Sequence, residues 1–294
     1  MVNSTRVHGK DITIRGRLIK TARIKDEWNQ DVEDPESFIK ALKQNQVKAD
    51  LFTFWQRPLE TRPKYDYYLE WDPVAVIPIK SYTYWFEKQI NKGARRAIKR
   101  AKRKGVEVKV VKFNDELIKG ITAIYNETPI RQGKPFPHYG KDFDNVRKQN
   151  STYLDQSDFI GVYYKNELIG FIKLTYMESY ADPMQIISKI QHRDKAPTNV
   201  LLAKAMEICD QKRIPYLFYG AWDTGGLGDF KRHNGFEKID LPRYYIPLTL
   251  KGKIILKLNL HHGIRGMLPE KLIDHLVNLR SKWYSIKYGS VKNV

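Results

Sequence analysis

The 294-residue chain is predicted to fold as a mixed α/β (α+β) protein with a mixed central sheet, a small N-terminal lobe and a basic C-terminal helix. Three stretches predict it. Asn91 to Lys104 is a basic amphipathic run that breaks at Gly105 into the alternating VEVKVVKF, a helix followed by a strand. Phe159 to Tyr164 and Leu168 to Tyr176 are strand-like runs joined by Lys165-Asn166-Glu167, the length of a short hairpin. Thr198 to Lys212 places Leu201, Leu202, Ala205, Met206, Ile208 and Cys209 at helical spacing and leads into the apolar strand Tyr216 to Trp222.

The first eighty residues read as a reduced lobe. PESFIKALKQNQ after Asp34 is its one helical run. Pro58, Pro63, Pro73 and Pro78 forbid a long helix between Leu51 and Ile79, so short edge strands and loops are expected there. Residues 81–250 read as one domain. A helix is expected over Ser81 to Lys104, with Ile90, Ala94, Ala97, Ile98 and Ala101 inward and the cations outward, then a strand over Val106 to Phe113. Asp115 to Glu127 is a second helix, carrying Leu117, Ile118, Ile121, Ile124 and Tyr125 at helical spacing. TPIRQGKPFPHYGKDF is a stiff loop, and loops so rich in binding side chains are disproportionately functional. After the hairpin come a strand, Met184 to Ile190, the helix from Thr198, strand Tyr216 to Trp222, a short helix over Gly228 to Asn234, and a closing hairpin or long strand over Phe236 to Leu248. Residues 251–294 are a tail ending in a basic helix, Pro269 to Tyr288.

Charge is unevenly placed. The formal net charge is +19; Asn91 to Lys104 holds eight Lys and Arg with no acid, and Lys251 to Val294 holds nine against two acids, so these stretches contribute 8 + 7 = 15 of it. The chain is therefore globular with two basic patches and not a disordered polycation. Arg95, Arg96, Lys99 and Arg100 form a patch whose cations repel one another unless phosphate, nucleic acid or lipid head groups sit nearby. Leu256, Leu258, Leu260, Ile264, Met267 and Leu268 interleave with basic residues in the tail, a pattern suited to peripheral contact with the inner membrane surface. With no signal-peptide core at the N-terminus and no run of about 18 apolar residues, a cytoplasmic location is expected.

Cys209, the single cysteine, excludes an internal disulfide and a cysteine zinc cluster, and its apolar helical face predicts a buried thiol. There is no Gly-x-Ser-x-Gly, no phosphate loop ending in Gly-Lys-Ser or Gly-Lys-Thr, and no His pair at metal-ligand spacing. His261 and His262 are adjacent and point apart in any regular element, so no metal is expected.

The element order from Val106 to Thr249 resembles the GNAT acyltransferase fold, with Gly170 where that family usually has glycine. KGARRAIKRAKRKGVEV is similar to the Arg-Arg-Asn-x-Arg-Lys-Ala-x-Lys-Lys-Gly-Val signature of FemAB-like transferases, and Asp229-Phe230-Lys231 to Gly235-Phe236 resembles their Phe-Lys-x-x-Phe-Gly element. The resemblance implies transfer of an acyl or aminoacyl group to an amine in a ternary complex, without a covalent enzyme intermediate. It implies acyl-CoA, acetyl-CoA first, held by a loop of the Gln/Arg-x-x-Gly-x-Gly/Ala type. Here that loop runs from Gln191 through Arg193 and Lys195 to Ala196 and Thr198; Asp194 replaces the first glycine, with Arg193 and Lys195 to offset its charge. Lys231 stands where GNAT enzymes often have tyrosine, fit to hold an anionic group or stabilise developing charge. Asp223 and Glu127 are alternative bases for the attacking amine, and either can equally be a helix cap or a partner for Arg131. Tyr244 and Tyr245 adjoin the expected cleft.

Arg131, His138 and Tyr139, with Lys231, make a basic, aromatic acceptor side suited to an amino sugar or surface-polysaccharide precursor. The alternative donor is aminoacyl-tRNA, as in FemAB-like transfer to a cell-wall precursor, with the Arg95 to Lys104 surface on the RNA backbone. A non-catalytic nucleic-acid-binding protein on the same scaffold is the remaining reading.

Overall fold

In the computed structural model, residues 5–263 are described and, beyond them, 276, 279–280, 282–284 and 286–288. The order is β1 (Thr5–Val7), β2 (Lys10–Arg15), β3 (Thr21–Ile24), α1 (Pro35–Gln44), β4 (Leu51–Trp55), β5 (Tyr68–Pro78), α2 (Tyr82–Tyr84) with a π-helical turn Trp85–Gln89, α3 (Lys92–Arg103), β6 (Glu107–Val111) and α4 (Asp115–Tyr125). It continues with β7 (Ile130–Arg131), β8 (Lys134–Pro135), α5 (Phe143–Asn150), β9 (Ser157–Tyr164), β10 (Glu167–Tyr176), β11 (Ala181–Ser188), a 3-10 turn Ile190–Lys195, α6 (Pro197–Gln211), β12 (Tyr216–Ala221), α7 (Gly225–His233), β13 (Glu237–Pro247) and α8 (Leu250–Lys257). This is a mixed α/β protein with a mixed sheet, as the periodicities predict. The chain forms two compact units, 1–74 with 239–277 and 75–238 with 278–294. Residues 239–250, expected with the larger domain, thus pack in the first unit.

In the first unit β1, β2 and β3 form an antiparallel meander, β4 lies parallel to β3, and β13 pairs antiparallel with β4. Asp34 caps α1 by accepting from the Ser37 amide at 3.0 Å, with Pro35 in the first turn, where its missing N–H costs nothing. Phe38 and Leu42 of α1 meet Ile12, Ile24, Phe52, Phe54 and Tyr244 in the core. The edge strands expected between Leu51 and Ile79 are replaced by two substantial ones. All five residues of β4 are buried because β3 and β13 flank it, and β5 runs eleven residues through Pro73. Pro58 and Pro63 fall in the connection between these strands, where they cost no ladder bond. Alternation along β13 sends Tyr244 and Ile246 into this core. Tyr245 points to a second cluster with Leu51, Ile255 and Leu256.

In the second unit β6, β9, β10 and β11 are successively antiparallel, and β12 joins β11 in parallel. The β9–β10 turn uses Lys165 and Asn166, both left-handed (φ 49° and 65°), which is what a two-residue hairpin requires. One sheet face, with Ile160, Val162, Ile172 and Leu174, packs on α3 and α6. The other, with Phe159, Leu168 and Phe171, packs on α4. Two covered faces make β10 an almost unbroken buried run. At Gly170 a Cβ would lie 3.0 Å from Ser188 and 3.3 Å from Leu201, so the residue is where β11 and α6 close on β10. Cys209 is buried, as expected, and burial pushes its thiol up to about 12.

The single helix expected over Ser81 to Lys104 is broken. Ile90 is extended (ψ 149°), and Asn91 starts a new helix by accepting from the Ala94 amide at 2.7 Å. Its own N–H donates to His233 O. The cap in Asn91-Lys92-Gly93 outweighs the apolar spacing that runs through it. The closing element is one strand, β13, and not a hairpin. The helix predicted for Pro269 to Tyr288 lies mostly outside the described residues; those described within it are helical. Of the expected membrane-contact residues, Ile264, Met267 and Leu268 lie outside too. Among the described residues no helix is long and apolar enough to cross a membrane.

Arg243 is the polar keystone of the first unit. Its side chain is 5% exposed, both terminal nitrogens reach Glu27 at 3.2 Å, Nε donates to Asp72, and the guanidinium lies over Trp55 at 4.0 Å. Glu27 and Asp72 raise its pKa against the effect of burial. Arg243→Met removes the main partner of both carboxylates, leaving Glu27 to Arg23 at 3.6 Å and Asp72 to the Trp55 indole N–H at 2.5 Å, and is expected to cost about 3 kcal/mol in urea denaturation. A loss under about 1 kcal/mol would show the cluster to be solvated.

Candidate functional site

In the second unit β11 and β12 are in register at Ala181 and Leu217, near the start of both strands. Their C-terminal ends border a cleft of about 740 Å³, walled by Ile186, Ile187 and Ser188 of β11, Tyr219 of β12, the first residues of α6, and Ala97 and Arg100 of α3. Parallel strands that part at their carboxyl ends create such a crevice. Arg100, Arg131, Lys134 and Arg193 line it, and among the described residues no Asp or Glu does. Phe136, Leu227 and Phe230 supply apolar wall. Helix α6 opens on the cleft through Ala196, Pro197, Thr198 and Asn199, and it starts without a side-chain cap. The positive end of its dipole therefore favours an anion there.

One carboxylate organises the rim. Glu127, just beyond α4, accepts from Arg131 Nη2 at 3.1 Å and from the amides of Ile190 and Gln191 at 2.7 and 3.0 Å. Arg131 also donates to Ser188 O at 2.8 Å and Ile124 O at 3.1 Å, and lies 4.5 Å over Phe136. Its buried Nε has no partner among the described residues. Asn126 fixes the loop between, accepting from Gly140 N and donating to Lys141 O. Within that loop Gln132 and Gly133, both left-handed, join β7 to β8 in a tight hairpin absent from the sequence reading.

The predicted residues divide. Arg193, Ala196, Thr198, Arg131 and Arg100 meet in the cleft. Gln191 is exposed outside its lining, and its amide is taken by Glu127. Lys195 ion-pairs with Asp194, which also takes Lys104 at 2.8 Å, and these two lysines hold the Asp194 carboxyl at about 2. The carboxylate that departs from the glycine pattern is thus neutralised away from the cleft. Glu127 is fully engaged and is not a free base.

Lys231 is buried and gives its three donors to Tyr219 O at 2.8 Å, Ala221 O at 2.5 Å and Asp223 Oδ2 at 2.6 Å. With no proton left for a substrate, it clamps the end of β12, and burial lowers its pKa against the pull of Asp223. Asp223 is its counter-ion and lies outside the cleft lining. Tyr244 is fully buried in the first unit, its hydroxyl donating to Gln56 Oε1 at 2.8 Å and accepting from Lys64 N at 2.9 Å. It has no surface for a substrate. Tyr245 is buried there as well.

Of the basic patch, Arg96, Lys99, Arg100 and Arg103 are exposed at spacings of three and four on one face of α3. Arg95 departs from the expectation, because its guanidinium caps Glu87 O and Ile90 O at the helix break. Sequence reasoning missed Lys134 and Tyr219. Lys134 carried a signal in the proline-rich loop; Tyr219 carried none, since strand alternation does not reveal where partner strands part.

Tyr139 is exposed, and His138 is half-buried, 4.4 Å from the Tyr125 ring, with Nδ1 3.2 Å from Lys141 Nζ. Burial first, then the Lys141 charge, pushes His138 down to about 4. Its unfolded value is higher, so the unfolded chain binds the extra proton between pH 6.5 and 4 and stability falls across that window on acidification. Ring-proton NMR is expected to give a midpoint near 4; a midpoint above 6 would mean a solvated ring.

No protein-family model and no curated protein matches the chain. Solved structures do. L-PGS from Bacillus licheniformis aligns with TM-score 0.57 and 14% identity, over 88% of each chain. The C-terminal domain assigned to a lysylphosphatidylglycerol synthetase of Agrobacterium fabrum aligns with TM-score 0.55 and 13% identity, also over 88% of each. FemX aligns with TM-score 0.54 and 11% identity, over 84% of this chain and 86% of its own. At these identities the likeness is one of fold: the chain has a GNAT-like, FemAB-related fold.

Proposed function

We propose that this protein is an aminoacyltransferase that takes its group from a polyanionic carrier, aminoacyl-tRNA, and delivers it to an amine of an envelope precursor. The observation that carries the reading is the cationic path into the cleft. Arg96, Lys99, Arg100 and Arg103 share one face of α3, and Arg100 is also a cleft residue beside Arg193, Arg131 and Lys134. That face is about 10 Å long, enough to meet successive phosphates of one strand.

Acyl-CoA is the second reading, and the uncapped start of α6 supports it. Against it, Glu127 already occupies the Ile190 and Gln191 amides at the head of the loop that would cradle a pyrophosphate. On α8 and at its C-cap, Leu250, Ile254 and Leu258 are exposed beside Lys253 and Lys257, which supports an acceptor presented at an anionic membrane.

In the transfer the amine nitrogen attacks the ester carbonyl, the bond from carbonyl carbon to carrier oxygen breaks, and that oxygen gains a proton as the amine loses one. We assign the donation to Tyr219. It lines the cleft, and burial together with Asp182 and Asp223 raises its pKa, so the hydroxyl stays protonated.

Charged tRNA is expected to bind with steep salt dependence. Replacing Arg96, Lys99 and Arg100 by Ala should weaken it at least about tenfold and flatten the log–log salt slope by about 2. Acetyl-CoA stabilisation in a thermal-shift assay, with tRNA binding indifferent to the triple change, would favour the second reading. In a transfer assay Tyr219→Phe should lower kcat about 100-fold with donor KM unchanged; unaltered kcat would remove Tyr219 from the chemistry.

A further inference from the structure

We infer that the first unit carries a binding site for a divalent transition-metal ion of the zinc class, formed by Glu70, His261 and His262. The adjacent histidines, expected to point apart, do not lie in a regular element: they occupy the turn after α8, and their rings sit close and tilted, with centroids 4.2 Å apart and planes at 43°. Both turn Nε2 toward one carboxylate. His261 Nε2 is 2.6 Å from Glu70 Oε1, and His262 Nε2 is 3.1 Å from Oε1 and 2.8 Å from Oε2. One ligand atom from each residue lies within 4.8 Å of both others.

Two imidazoles and a carboxylate are a donor set that suits zinc and its neighbours and is poorly matched to magnesium or calcium. Ligands at about 2.1 Å from a tetrahedral zinc stand about 3.4 Å apart, so the ring nitrogens need retreat by less than about 1 Å. The ion replaces the protons that now join the rings to Glu70.

The surroundings prepare the site. His261 is 1% exposed by side chain, with Tyr245 edge-on at 4.7 Å and Tyr68 at 5.3 Å holding its ring. Tyr68 is itself tied to Asn259 by a 2.7 Å hydrogen bond. Buried His261 Nδ1 has no partner among the described residues, so no second hydrogen bond binds this ring to another orientation. His262 is half-exposed and gives an ion access from solvent, leaving the fourth position to water. Glu70 belongs to β5 and the histidines follow α8, so the ion would cross-link two segments about 190 residues apart in sequence.

The test uses full-length, untagged protein stripped with chelator and titrated with Zn2+ by calorimetry. One equivalent is expected, with a rise in Tm that Mg2+ does not reproduce. Co2+ should give the visible absorption of a nitrogen- and oxygen-ligated centre. His262→Ala and Glu70→Gln should each weaken binding at least tenfold, and His233→Ala, in the other unit, should leave it unchanged. Because His262 is half-exposed, its variant should retain the metal-free Tm of the parent chain. Absence of stoichiometric binding, or equal affinity in the His262 and Glu70 variants and the parent, would overturn the inference.

Discussion

Glu127 is the joint on which the second unit's cleft depends. Its carboxylate gathers Arg131 and the two amides that begin the turn after β11, so the end of α4, the proline-rich loop and the approach to α6 share one anchor. Burial makes such an anchor demanding, since each oxygen must be satisfied or the charge is costly. Three donors satisfy it. The result is a cleft whose lining is basic although the rim is built around an acid.

The same device recurs. Lys231 spends its three protons on Tyr219, Ala221 and Asp223, fixing the end of β12 where the cleft begins. Arg243 spends its guanidinium on Glu27, Asp72 and Thr53 in the first unit. In both cases a buried cation is held by strand carbonyls or carboxylates, so it shapes the backbone, and only cations that remain exposed are open to a ligand. That division separates Lys231 from Arg100 and Arg193, residues of like charge and unlike work.

Much of the fold was legible. The helical spacing of α4 and α6, the hairpin between β9 and β10, and the basic helix leading through Gly105 to a strand all follow from local pattern. What was illegible depended on contacts distant in sequence. Leu51 to Trp55 looked like an edge strand because nothing local says that β13, nearly two hundred residues later, will lie beside it. Tyr244 looked available because alternation fixes that a strand has two faces and not which one meets the core. Lys231 looked like a substrate ligand because its partners are carbonyls, which leave no trace in side-chain identity. His261 and His262 looked divergent because periodicity rules hold in helices and strands and fail in turns.

The central claim is that a phosphate-bearing donor enters the crevice between β11 and β12 and extends along α3. Hydrogen–deuterium exchange with and without charged tRNA tests it most directly, because it reports which amides lose contact with solvent. The account predicts slowed exchange across residues 186–199 and 96–103. Unchanged exchange in both segments at a saturating donor concentration would contradict it.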